Sequence, residues 1–119
     1  MNSRVSVDSD KLINALLKPI YAYLYLDGVD EITINKPNRI WLKYGYKWEP
    51  KDIDLSYSEI EQIISALCSY NSMPLSSNLS LLMPNGERCQ ATIRNAVVDG
   101  YISFNVRKHS TKTYSIEEL

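Results

Sequence analysis

The sequence predicts an α+β domain in which an antiparallel sheet of about six strands is backed by two or three helices. Three observations lead to this prediction. Two stretches have apolar residues at helical spacing. Each is followed by short segments in which apolar and polar residues alternate, as in strands with one buried face. Pro, Asn and Gly separate those segments where the chain must turn. The predicted order is helix, three strands, helix, three strands.

The first helix follows residues 1–9, a polar stretch that we expect to fray. Ser9 or Asp10 is the candidate N-cap. Pro19 predicts a kink or a split, because proline removes a backbone donor and clashes with the preceding turn. The helix should end near Gly28, since glycine readily adopts the left-handed conformation that stops a helix. Its apolar positions are Leu12, Ile13, Leu16, Leu17, Ile20 and Leu24.

A meander of three strands follows, over Glu31–Asn35 and Arg39–Tyr44, with a third short strand that begins at Tyr46–Trp48. In the first two, alternation puts the apolar side chains on one face, with Pro37 in the turn between them. Trp41 falls on the polar face. We expect its ring to lie flat over the long side chains beside it rather than to form an interface.

A capping box starts the second helix. Ser56 can cap the first turn while Glu59 reaches back to the Ser56 backbone. The helix should run to about Tyr70, with Asn71 as its C-cap. Its apolar stripe is expected to cover one face of the sheet.

Three more strands close the domain, beginning with Leu79–Met83 and continuing as a hairpin within Gly86–Ser110. Alternation places Arg88 on the polar face of one arm and Arg107 on the polar face of the other. Asp99-Gly100 is a turn signal between the two arms. If Arg94 pairs with Tyr101, the register places these two arginines directly opposite each other.

Two guanidinium groups side by side predict an anion site. Like charges directly opposite each other destabilise a sheet, whereas arginine binds phosphate through bidentate hydrogen bonds. Positions 84–113 contain five cationic and two anionic residues, a net charge of +3 in a chain of net charge −1. The simpler interpretation, that polar strand residues merely face water, has equal weight at this point.

Composition excludes several classes of function. With 119 residues, of which 45% are hydrophobic and 23% charged, the chain suits one globular domain. A net charge of −1 argues against a general nucleic-acid binder. Cys68 and Cys89 fall inside a predicted helix and a predicted strand, which is typical of reduced, buried cysteines in a cytoplasmic protein. One His and no paired ligands argue against a metal site.

The motifs of a complete catalyst are missing from the sequence. The four glycines do not have P-loop or dinucleotide-binding spacing, and neither GxSxG nor HExxH occurs. A nucleophile pair of Cys89 and His109 is disfavoured because Cys89 is predicted to point to the apolar face. We therefore predict a binding domain with no catalytic residues of its own.

The last five residues predict that the natural protein continues. Ser115 and Glu118 form a second capping box, but the helix that it opens is too short to be stable alone. The predicted organisation is an N-terminal α+β domain over residues 1–110 and the start of a linker over residues 111–119.

Two segments, EITINKPNRIWLKYGYKWE and LLMPNGERCQATI with ISFNVRKHS, carry a family resemblance. They resemble the N-terminal domain of the hexameric traffic ATPases of bacterial type IV secretion, within the wider type II/IV secretion NTPases. The matching motifs are EI-x-IN with the following Trp41, NGER-x-Q around Arg88, and VRK at Arg107. The resemblance covers roughly residues 10–114. His109 departs from it, because the family usually has Pro there.

The resemblance implies a domain that precedes a RecA-like P-loop domain, with nucleotide between the two and six subunits in a ring. Arg88 and Arg107 would then contact the nucleotide phosphates, and Tyr114 would lie near the base. ATP and Mg²⁺ are implied for the full-length protein and neither for this chain alone. A hinge after Ser110 would let the domain swing as nucleotide turns over.

The implied partners are the protein's own C-terminal ATPase domain, neighbouring subunits of a homohexamer and inner-membrane secretion components, with no direct nucleic-acid binding. The implied location is cytoplasmic and peripheral at the bacterial inner membrane, and the implied role is to power substrate secretion or pilus biogenesis.

Three other functions remain open at this point. The sheet-and-helix arrangement is PAS-like, so the chain could be a stand-alone ligand sensor if it encloses an apolar pocket. It could be a protein-interaction adaptor that uses Trp41 and its tyrosines as contacts. Single-stranded nucleic-acid binding through aromatics and arginines is the weakest of the three, given the net charge.

Overall fold

The computed structural model describes residues 2–94 and 101–108, together with the side chains of residues 11–93 and 102–108. In these ranges the elements follow the predicted order. They are α1 Asn2–Leu24, β1 Glu31–Lys36, β2 Arg39–Tyr44, β3 Lys47–Asp52, α2 Tyr57–Tyr70, β4 Asn78–Leu82, β5 Arg88–Arg94 and β6 Tyr101–Arg107.

The six described strands form one antiparallel sheet in the order β3-β2-β1-β6-β5-β4. Each half of the sheet is a meander, and the halves join where β1 pairs with β6. This pairing makes Glu31 and Arg107 cross-strand neighbours although they lie far apart in the sequence. The predicted α+β class, with a six-stranded antiparallel sheet, is confirmed.

The core lies between one face of the sheet and the two helices. Alternate strand residues such as Ile32, Leu42 and Phe104 are fully buried on this face, as period-two alternation requires. α2 contributes the predicted stripe, and α1 packs beside it. The helix residues in the core are Ile13, Leu17, Ile20, Leu24, Ile60, Ile63, Ile64, Leu67 and Cys68.

Both predicted caps of α2 are confirmed. The Ser56 Oγ accepts a hydrogen bond from the Glu59 N–H at 3.1 Å, and the Glu59 carboxylate accepts one from the Ser56 N–H at 2.8 Å. Asn71 caps the other end, where its side-chain amide donates to the Leu67 carbonyl at 2.8 Å. The same amide group also donates to and accepts from the Leu82 backbone. Asn71 therefore ties α2 to edge strand β4.

The start and course of α1 differ from prediction. The backbone is helical from Asn2 onward, so residues 2–9 are not frayed and neither Ser9 nor Asp10 is the N-cap. Pro19 lies inside one continuous helix and does not split it. Leu12, predicted on the buried stripe, is 59% exposed. Although α1 has 23 residues, no helix among the described residues is both long enough and apolar enough to cross a membrane.

The third strand, predicted to begin at Tyr46–Trp48, starts at Lys47 and continues through Pro50 to Asp52. Proline removes one ladder donor, which is tolerated at a sheet edge. β3 is such an edge, and its residues are all exposed.

Candidate functional site

The face of the sheet opposite the helices is polar and uncovered in the described part of the chain. One residue from each of the six described strands pairs directly with its neighbour on the next strand, so that the six form a continuous line across the sheet. We call this line the charged row. Its members, from edge to edge, are Trp48, Lys43, Glu31, Arg107, Arg88 and Leu82.

Arg88 and Arg107 are direct cross-strand partners in the antiparallel β5–β6 pair, in the register that pairs Arg94 with Tyr101. This is the register that the sequence predicted. Directly opposed residues lie about 4.5–5.5 Å apart between Cα atoms and share a face. Arg88 is exposed, and the Arg107 side chain is 68% exposed. No covering residue therefore separates either guanidinium from a ligand in the described part of the chain.

Glu31 is the anion nearest to the arginine pair in the charged row. Its side chain is only 11% exposed, and one carboxylate oxygen lies 3.7 Å from the Arg107 guanidinium and 3.8 Å from the Lys43 ammonium. The other oxygen accepts a hydrogen bond from the Asn105 amide at 2.6 Å. Asn105 also donates to the Thr33 hydroxyl at 2.8 Å. Alternation along the strands could not identify Glu31 as part of this site, because only the β1–β6 pairing brings it beside Arg107.

Glu87, the residue before Arg88, is completely buried. Its two carboxylate oxygens accept hydrogen bonds from the hydroxyls of Tyr21, at 2.9 Å, and Tyr25. The Lys108 ammonium lies 5.2 Å from the centre of the Tyr25 ring. Burial, followed by the hydrogen bond to Glu87 and its charge, raises the pKa of both tyrosines. This cluster joins the end of α1 to the turn that leads into β5.

Tyr21 and Tyr25 are one helical turn apart, a spacing that puts two side chains on the same face. That spacing was the available signal for the Glu87 cluster. It did not identify the carboxylate that the two hydroxyls would share.

Several other residues singled out from the sequence belong neither to the charged row nor to the Glu87 cluster. Tyr114 and His109 lie outside the described residues, as do Ser115, Glu118 and the turn at Asp99-Gly100. Cys89 is buried on the covered face, where burial raises the pKa of its thiol to about 12. Cys68 is also a buried free thiol. Among the described residues, no three His, Cys, Asp or Glu side chains are grouped to hold a metal ion.

An open cavity of about 300 Å³ lies on the polar face, bordered by Thr33, Asn35, Trp41 and Trp48. Trp41 is half-buried here. The Lys43 ammonium lies 5.8 Å from the centre of the Trp48 ring. The cavity is bordered by aromatic and polar side chains, which suits the adaptor function better than an enclosed sensor pocket.

Comparison with known proteins identifies the class. No protein-family model matches the chain. The type IV secretion system protein VirB11 of Bartonella quintana is 31% identical over 120 residues, which cover 98% of this chain and 34% of that protein. The VirB11 protein of Agrobacterium fabrum is 26% identical over 116 residues, covering 95% and 34%.

A solved structure has the same fold. The crystal structure of the VirB11 ATPase from the Brucella suis type IV secretion system, in complex with sulphate, superimposes with a TM-score of 0.79 at 23% identity. The match covers 96% of this chain and 37% of that one.

The fold matches that of a domain of a VirB11 ATPase, and the relatives of the chain are proteins of type IV secretion systems. The chain is homologous to the N-terminal region of the VirB11 proteins. It spans about a third of the length of the relatives that it matches.

Proposed function

We propose that this chain is the N-terminal domain of a hexameric type IV secretion ATPase, and that Arg88 and Arg107 bind the phosphates of a nucleotide held between it and a C-terminal P-loop domain. The main support is the direct pairing of these two arginines on the uncovered face of the sheet. The proposed location is cytoplasmic and peripheral at the inner membrane. The proposed role is to power substrate secretion or pilus biogenesis.

Electrostatics gives a reason for the pair. Two directly opposed cations destabilise a sheet unless an anion lies between them. The arginine fork presents parallel N–H donors that match two oxygens of one phosphate. The Arg88 side chain makes no hydrogen bond or ion pair among the described residues, so its donors are free to bind a phosphate. The Brucella suis relative was crystallised with sulphate, an anion of similar shape.

Phosphoryl transfer depends on positioning and on stabilising negative charge. An arginine supplied by one domain can complete a site on another domain only when the two close together. In this proposal the P-loop domain supplies the Mg²⁺ site and the catalytic water, while Arg88 and Arg107 neutralise the phosphates. Tyr114, in the connection to that domain, would lie near the base.

The test is made in the full-length protein with Arg88→Ala and Arg107→Ala. Either change should lower nucleotide affinity or the rate of ATP hydrolysis at least about tenfold, since a phosphate-binding arginine can supply far more than that. The circular dichroism spectrum should not change, because both side chains are exposed. Arg39→Ala is the matched control, since Arg39 is on the same face but pairs with Asp52 at 3.7 Å. Parental hydrolysis by both variants would refute the proposal.

A second test uses the 119-residue chain by itself. It has no P-loop in its sequence, so we expect no ATP hydrolysis above background. Turnover that remains with the chain through repeated purification would contradict this expectation. That result would also favour an enzyme of a different kind.

A further inference from the structure

We propose that Glu31 is a built-in counter-ion that sets how tightly the arginine pair holds a phosphate, and that Arg107 exchanges Glu31 for the phosphate when the ligand binds. This inference rests on the proposed function of the arginine pair. It identifies Glu31 as an affinity-determining residue of that site.

The position of Glu31 in the charged row is the first support. Strand pairing puts Glu31 between two cations, with Arg107 on β6 and Lys43 on β2 as its direct neighbours. Neighbouring strands are about 4.8 Å apart, so a phosphate bound by Arg107 lies roughly one strand spacing from the Glu31 carboxylate. At such distances a unit charge still has a measurable effect in water at low salt.

The geometry of the contacts is the second support. The Asn105 amide binds one Glu31 oxygen at 2.6 Å and is held in turn by Thr33, so the carboxylate has a fixed position. The Arg107 guanidinium lies 3.7 Å away, which is an ion pair but too long for a hydrogen bond. Glu31 therefore neutralises the charge of Arg107 without accepting a hydrogen bond from its N–H donors. Those donors remain available to an incoming phosphate.

The consequence is a site that releases its ligand. Arg88, Arg107 and Lys43 would present three cations in one row if Glu31 were neutral. With Glu31 charged, the attraction for any phosphate is reduced and Arg107 has an alternative partner. An arginine pair that must bind and release nucleotide in each cycle benefits from this competition.

Glu31→Gln and Glu31→Asp separate charge from shape. Glutamine keeps an oxygen that can accept from Asn105 but removes the charge. Pyrophosphate, titrated into the 119-residue chain by calorimetry at low salt, should bind Glu31→Gln about three- to tenfold more tightly than the unmodified chain. The difference should shrink in 0.5 M salt, because screening weakens it. Glu31→Asp keeps the charge and should bind as the unmodified chain does.

Asp52→Asn is the matched control, because Asp52 pairs with Arg39 at 3.7 Å on the same face but away from the charged row. It should leave pyrophosphate affinity unchanged. The unmodified chain gives an independent readout by NMR. On saturation with pyrophosphate, the Arg107 Nε–H and the Glu31 carboxylate carbon should shift, whereas the Arg39 and Asp52 signals should not.

The outcomes separate the two proposals. If Arg88→Gln and Arg107→Gln abolish pyrophosphate binding but Glu31→Gln leaves it unchanged, the counter-ion role is wrong and the arginine site stands. If binding persists in both arginine variants, the arginine site is wrong and the counter-ion role fails with it. No measurable binding by either the unmodified chain or Glu31→Gln overturns both.

Discussion

Replacing Tyr21 and Tyr25 by phenylalanine tests how the buried carboxylate of Glu87 is stabilised. Each hydroxyl donates to one oxygen of a side chain that has no exposed surface. A hydrogen bond to a charged group contributes about 1.5–3 kcal/mol. Tyr21 is half-buried and Tyr25 is half-exposed. We therefore expect Tyr21→Phe to lower the free energy of unfolding by about 2 kcal/mol and Tyr25→Phe by about 1 kcal/mol.

The double variant should lose more than the sum of the single changes. With both hydroxyls gone, the buried Glu87 carboxylate keeps its desolvation cost without either donor, and an unsatisfied buried charged group costs more than the roughly 1–3 kcal/mol of a neutral one. Urea unfolding followed by circular dichroism at pH 7 measures all three variants. Tyr46→Phe is the control, because Tyr46 is 96% exposed and should change the free energy by less than about 0.5 kcal/mol. A double variant within that margin of the unmodified chain would show that these hydroxyls do not stabilise Glu87.

Two further predictions concern the cap of α2 and the response to alkaline pH. Ser56→Ala removes the acceptor of the Glu59 N–H and should lower the free energy of unfolding by about 1 kcal/mol; in contrast, Ser58→Ala, in the exposed first turn, should have little effect in the same urea assay. Burial and Glu87 raise the pKa of Tyr21 and Tyr25, so the folded state favours their protonated forms. The stabilisation that comes from these raised pKa values is complete below about pH 10, the usual pKa of tyrosine, and is lost as the pH rises above it. Stability should therefore fall more steeply above pH 10 in the unmodified chain than in the double phenylalanine variant, and equal slopes would rule out the shift.

Local patterns in the sequence predicted the features whose causes are local. The Ser56 and Glu59 capping box depends on residues three apart. Alternation within each arm of the last hairpin placed Arg88 and Arg107 on the polar face, and pairing Arg94 with Tyr101 then gave the observed register. The beginning of α1 was missed because residues 1–9 show no apolar periodicity. The apolar pattern of these residues therefore does not indicate the helical backbone that starts at Asn2.

The other half of the candidate site depends on contacts between distant segments. Glu31 meets Arg107 only because the first and last strands pair in the middle of the sheet, and alternation within either strand cannot reveal which strands are neighbours. Nothing in the sequence indicated that Glu87 is buried, since a carboxylate is rarely buried without partners. The tyrosines that bind it lie at the end of α1 and directly after it, more than sixty positions earlier.

The location of the arginine pair also bears on how the domain would act. β5 and β6 each have a hydrogen-bonded strand on both sides, so the backbones that present Arg88 and Arg107 cannot shift independently of the sheet. Sites on such strands are held more accurately than sites on loops, which reduces the ordering cost of binding an anion. A phosphate that binds this pair would therefore be held by strands that move together with the rest of the sheet. Any opening and closing of the proposed nucleotide site must then come from movement of the whole domain, rather than from rearrangement of the two arginine strands.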